Sequence, residues 1–124
     1  MSAQTLLSGG DKWYSYSGVL FGDVSAPATI QMLFIPNTGL RDSYIVVNPF
    51  YGSAVSNSGG AQLGITIKLD DVEIVKHNVY DVRGDMVESF PLFIPRQSKL
   101  EVISNNTAAN NTQTRGANII GYYL

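Results

Sequence analysis

The sequence predicts an all-β protein, a jelly-roll-like sandwich of about eight antiparallel strands, and three observations carry that expectation. Short runs rich in β-branched and aromatic residues recur along the chain, separated by clusters of Gly, Pro, Asn, Asp and Ser. One run alternates strictly between apolar and polar residues, the period-two signature of a strand with one buried face. No window of about ten residues carries helical periodicity, and Ala, Leu, Glu and Lys never cluster.

In chain order, residues 1–12 read as a short N-terminal arm, small and polar apart from Leu6 and Leu7 and ending in Gly9-Gly10. Such an arm either frays or docks its leucines on a neighbour. Residues 13–124 read as the sandwich domain. Its first strand is Trp13 to Phe21, followed by a Gly22-Asp23 turn. Ala28 to Ile35 is the next, stopped by Pro36-Asn37-Thr38-Gly39, and Ser43 to Asn48 follows, ended by Pro49. In Gln62 to Leu69, Leu63, Ile65, Ile67 and Leu69 alternate with Gln62, Gly64, Thr66 and Lys68. Asp70-Asp71 then makes a tight turn into Val72 to Val75, a hairpin. Glu88 to Ile94, a Pro95-Arg96-Gln97 turn, Lys99 to Ser104 and Ala117 to Leu124 complete the set. Gly52 to Gly60 and Asn105 to Gly116 are turn-prone and poor in apolar residues, which predicts surface loops. Leu33-Phe34-Ile35-Pro36 recurs as Leu92-Phe93-Ile94-Pro95. The echo is either coincidence or the mark of two related Greek-key halves.

Composition narrows the function classes. With no cysteine, disulfides, thiolate metal sites and Cys nucleophiles are excluded. Eight Lys+Arg against ten Asp+Glu give a net charge of −2. Lys12, Arg41, Lys68, Lys76, Arg83, Arg96, Lys99 and Arg115 are scattered rather than gathered into the basic stripe that nucleic acid requires. Only 15% of residues are charged, against about 25% in an ordinary domain. The surface must therefore be built from Ser, Thr, Asn, Gly and Tyr, which suits lasting contacts or a polar binding face. No run approaches the ~18 apolar residues of a membrane span, and the start lacks a basic, apolar leader.

The chemistry-bearing residues do not assemble into a catalytic set. His77, the single histidine, reads as a solvent-facing or hydrogen-bonded side chain near a turn. Asp70, Asp71 and Glu73 form the one acidic cluster, which suits a hairpin turn, with a weak calcium site as the alternative. Arg83-Gly84-Asp85 reads as an ordinary turn, and the sequons Asn105-Asn106-Thr107 and Asn110-Asn111-Thr112 as loop polarity. We therefore expect no catalytic residues, no metal ligands and no cofactor. Alternation on the first strand pairs Trp13 with Ser15 and Tyr14 with Tyr16. Either pair could face outward as a contact patch or inward as core.

The arm before a Trp/Tyr-rich strand, the Ile-Pro strand endings and the Asn/Thr loop leading into Ile119-Ile120-Gly121-Tyr122-Tyr123-Leu124 together resemble the small jelly-roll decoration or cement proteins of tailed-bacteriophage capsids. Tumour-necrosis-factor-like trimers share the architecture. The phage resemblance implies a non-enzymatic structural protein of a virus particle, located at the capsid surface and made in the host cytoplasm. It implies a homotrimer that stabilises the head by bridging subunits of the major capsid protein. Neither nucleic acid nor membrane is an expected partner. Candidate contact residues are Thr5, Leu6, Leu7, Trp13, Tyr14, Tyr16, Asn105 and Asn106. The alternative is a receptor- or carbohydrate-binding module using aromatics beside polar loops.

Overall fold

The structure, a computed structural model, describes residues 6–9, 11–21, 28–51, 62–80, 89–106 and 114–124. Its strands are β1 (Leu6–Gly9), β2 (Lys12–Tyr16), β3 (Leu20–Phe21), β4 (Ala28–Ile35), β5 (Ser43–Tyr51), β6 (Gln62–Leu69), β7 (Val72–Tyr80), β8 (Phe90–Ile94), β9 (Leu100–Asn106) and β10 (Thr114–Tyr123). Sheet A runs β1-β2-β10-β5-β8, with β3 also pairing with β10, and sheet B runs β4-β9-β6-β7. Every pairing is antiparallel.

The pairings are nested. β6 pairs with β7, β5 with β8, β4 with β9 and β2 with β10, and successive pairs alternate between the two sheets. A long hairpin rolled across two sheets in this way is the jelly roll that the strand pattern predicted. Trp13, Ile45, Val47, Ala117 and Ile119 of sheet A face Met32, Leu33, Ile65, Ile67, Leu100 and Val102 of sheet B in one buried core.

The Asp70-Asp71 turn is tight for the reason the sequence suggested. Both residues have positive φ, 49° and 68°, as the two central positions of a type I′ hairpin require. Both Leu-Phe-Ile-Pro runs end strands, β4 and β8, and in both the Ile is buried against the core. The loops that follow are bound together. Thr38 N–H donates to the Ser98 carbonyl at 2.9 Å, Gln97 N–H to the Gly39 carbonyl at 2.7 Å, and Asp70 N–H to the Lys99 carbonyl at 2.9 Å. Loop polar groups are thereby consumed by one another, which fixes this end of the sandwich.

Several boundaries differ from the sequence reading. Leu6–Gly9, within the stretch read as an N-terminal arm that frays or docks, forms an edge strand paired with β2. The first long strand is two, because Gly18 at φ 72° takes the chain out of the sheet. β5 continues through Pro49 to Tyr51. Among the described residues β8 pairs with it only up to Val47, so Pro49, which has no N–H, lies beyond that pairing. β7 runs to Tyr80 rather than Val75. Within the predicted loop from Asn105 to Gly116, β9 runs to Asn106 and β10 begins at Thr114. Arg115 is a fully buried residue of β10, with Nη1 donating to Ser104 Oγ at 3.1 Å.

Candidate interaction face

Sheet A has a second side. Alternation along its strands sends Trp13, Ser15, Ile45, Val47, Ala117 and Ile119 inward and their neighbours outward. The register then assembles the outward residues into cross-strand rows. One row is Lys12, Tyr122, Tyr44 and Phe93, and the next is Tyr14, Ile120, Val46 and Pro91. A third holds Tyr16, Asn118 and Asn48.

These side chains pack on one another. The Tyr44 ring lies 5.2 Å from Phe93 and 6.5 Å from Tyr122, both tilted. Tyr14 and Tyr16 are parallel within 3°, with centroids 6.5 Å apart. Lys12 Nζ sits 5.7 Å above the Tyr122 ring, a favourable cation–π distance. Lys12 is the single charge in the three rows. Phe93 is 71% exposed, Tyr16 47% and Tyr122 40%, so the face offers large rings to the outside. Beside Phe93, an open depression of about 220 Å³ is lined by Asp42, Ser43, Phe93, Ile94, Pro95 and Leu124. Arg41 borders it, stacked 5.3 Å from the Tyr123 ring and bonded to Asp11 and to the Leu124 carbonyl.

The sequence-stated contact residues divide on this geometry. Tyr14 and Tyr16 lie on the face. Trp13 does not: its side chain is 0% exposed and its indole N–H donates to Ser43 Oγ at 3.2 Å inside the core. The parity of β2 forces one of the two aromatic sets inward, and Gly121 supplies the space. A Cβ at position 121 would overlap the Trp13 indole. Leu6 and Leu7 belong to β1, opposite Ser15 and Tyr14 in register. Asn105 is in β9 rather than a loop, bonded through its amide to Thr29 and Thr66, and Asn106 ends the same strand. Thr5, Arg83-Gly84-Asp85 and the second sequon lie outside the described residues. Tyr44, Phe93, Ile120 and Tyr122, which complete the face, were not singled out as a group. Their register across β5, β8 and β10 is a long-range property that no local spacing reveals.

The remaining chemical candidates are engaged structurally. Asp70 Oδ1 accepts from Lys99 N–H at 2.8 Å, and Asp71 Oδ1 pairs with Lys99 Nζ at 2.6 Å. Glu73 lies 3.9 Å from Lys76. In these contacts the turn is held by one lysine, and among the described residues no group of three His, Asp or Glu that could hold a metal is found. His77, read as lying near a turn, instead sits within β7 with its ring edge-on to Phe90 at 5.9 Å.

No protein-family model matches the chain, and no curated protein matches it in sequence. Among solved structures, it is similar in fold to a chain in the structure of infectious bursal disease virus Gx strain. The TM-score is 0.51 over 99% of this chain at 13% sequence identity, and this chain spans 33% of the length of that one. At that identity the likeness is one of fold.

Proposed function

We propose that this chain is a non-enzymatic structural protein of a virus particle, a decoration or cement protein that stabilises the head by bridging major capsid subunits. The observation that carries the reading is the outer face of sheet A, with exposed rings in register and one charge among three rows. Exposed aromatic surface of that kind is what a lasting protein contact buries. The jelly roll supports the reading, since the architecture recurs in viral capsid domains, as does the likeness in fold to a chain of a virus structure. A scaffold of nested strand pairs is rigid, and repeated attachment around a particle turns modest single contacts into strong retention.

The test is the copy number of the protein in purified virus particles from its source, by quantitative mass spectrometry against the major capsid protein. A copy number comparable with that of the capsid protein is expected. A handful per particle moves the protein to the tail, and absence from particles sinks the virion reading. A second reading, a carbohydrate- or receptor-binding module, is favoured by the parallel Tyr14 and Tyr16 rings, because aromatic faces stack on sugars. Saturable binding in a glycan screen, lost in Tyr14→Ala, would establish it.

A further inference from the structure

We infer that the outer face of sheet A is a two-fold interface between two copies of this chain. The inference rests on the reading of the chain as a component of a lasting assembly, and it assigns this face to the contact between copies, so that attachment to the capsid falls to other surfaces of the dimer.

Association through strand edges is obstructed. β8 carries Pro91, which has no N–H to offer, and β1 is four residues long. β4 and β7 carry register shifts, at Gln31/Leu33 and opposite Ile67/Lys68, and β7 includes the charged Glu73 and Lys76. Proline, short length, bulges and charge are the devices by which edges resist pairing. Among the described residues, that leaves the faces.

The face is complementary to itself. A head-to-tail contact would need a second patch of the same character elsewhere on the molecule. The other broad surface, the outside of sheet B, sets Phe34 and Ile103 among Glu101, Lys68, Glu73 and Lys76 in its rows and so is of different character. A two-fold contact needs no second patch, because the same rows meet each other. Charge placement agrees. Lys12 occupies one corner, so an in-plane two-fold axis through the central row never brings two Lys12 together. With the axis along the strands Lys12 meets Phe93 of the second copy, and with the axis across them it meets Tyr16 of the second copy. Both partners are aromatic, and an ammonium over a desolvated ring is attractive.

Four strands spaced ~4.8 Å and three rows of alternate residues give a flat footprint of roughly 19 by 20 Å, about half of the ~800 Å² per partner in a standard interface, so the contact is a modest, reversible one. A trimer, implied by the phage resemblance, would need a heterologous contact, this face against a different surface of the next copy.

Sedimentation velocity on the full chain from about 1 to 100 µM, the range in which a micromolar contact titrates, is the test. A monomer–dimer equilibrium is expected. Tyr122→Glu and Tyr16→Glu, in opposite rows, should each weaken dimerisation by ~30-fold or more, as central aromatic anchors do. Lys76→Glu, on sheet B, should leave the equilibrium unchanged. Circular dichroism confirms folding, and if one glutamate variant does not fold the other carries the test. A monomer across the range, a trimer, or a dimer indifferent to both face variants overturns the inference. The outcome is separable from the virion reading: a monomer abundant in particles sinks the dimer alone, and a dimer absent from particles sinks the virion role alone.

Discussion

The two sheets of this molecule contribute alike to the core and differ on their outer sides. On sheet B, polar groups in neighbouring strands satisfy one another. Gln31 Nε2 donates to Glu101 Oε2 at 3.0 Å, Thr29 Oγ1 to Asn105 Oδ1 at 3.0 Å, and Lys68 stands opposite both Glu101 and Glu73. On sheet A the equivalent rows hold Tyr44, Tyr122, Phe93, Tyr14 and Ile120, with Lys12 as the one charge. A strand with one buried face needs only apolar residues on that face, and its other face is open to selection for solubility or for contact. Sheet B is finished toward water. Sheet A has the composition of a surface waiting to be covered, since large rings lose favourable burial while they stay exposed.

The sharpest way to break this comparison lies on β2, where adjacent aromatics point to opposite sides. Trp13→Ala should lower stability by about 3–5 kcal/mol in urea unfolding, through loss of core packing; it also removes the indole bond to Ser43. Tyr14→Ala, measured at a concentration where the chain is monomeric, should change stability by less than about 1 kcal/mol. Equal losses would mean that the outer face is core in the isolated chain, and the contrast between the sheets would fall.

β10 offers a second, smaller test of the same kind. A methyl group at Gly121 would collide with the Trp13 indole, so Gly121→Ala should destabilise by about 1–3 kcal/mol, the range of overpacked cores. Asn118→Ala, three residues back on the outer side, should stay within about 0.5 kcal/mol. On sheet B, Glu101→Ala removes the acceptor of Gln31 and should lose about 1 kcal/mol. The loss should leave association untouched. A change in oligomeric state on altering Glu101 would show that sheet B is no inert surface.

Much of this was legible in the sequence, and what was not has a physical reason. Alternation in Gln62–Leu69 fixed which side of β6 is buried, and two turn-favouring aspartates fixed the hairpin, because both signals are local. The Leu-Phe-Ile-Pro echo marked two strands that end alike. Whether Trp13 or Tyr14 faces inward was not legible. Both satisfy the local pattern, and the choice is made by Gly121, more than a hundred residues away, which leaves room for an indole. Arg115 fell within the predicted loop because its neighbours are Thr and Gly; it is instead fully buried in β10 and bonded to Ser104 on the opposite sheet. The contact face was legible only in part, through Tyr14 and Tyr16, because its other rows are defined by pairing between distant strands.

The smallest effect belongs to the turn that closes sheet B, where the pairing of charges can be read directly. The hydrogen bond from Lys99 to Asp71 raises the Lys99 pKa above its ordinary value; partial desolvation opposes it, and the charges of Asp71, Glu101 and Asp70 add to it. A lysine whose folded pKa exceeds its unfolded one contributes stability that is complete below the unfolded value and is lost as pH rises through the folded value. The Asp71 carboxylate is largely open to solvent, so the pair matters little to melting at neutral pH. Asp71→Asn should therefore leave the neutral-pH Tm nearly unchanged and move the Lys99 titration midpoint down, followed by NMR of the lysine side chain. It should also remove that part of the fall in stability which lies at alkaline pH. An unmoved midpoint would mean that Lys99 does not hold this carboxylate, and that sheet B closes its hairpin on the bonds of Asp70 to the Lys99 backbone alone.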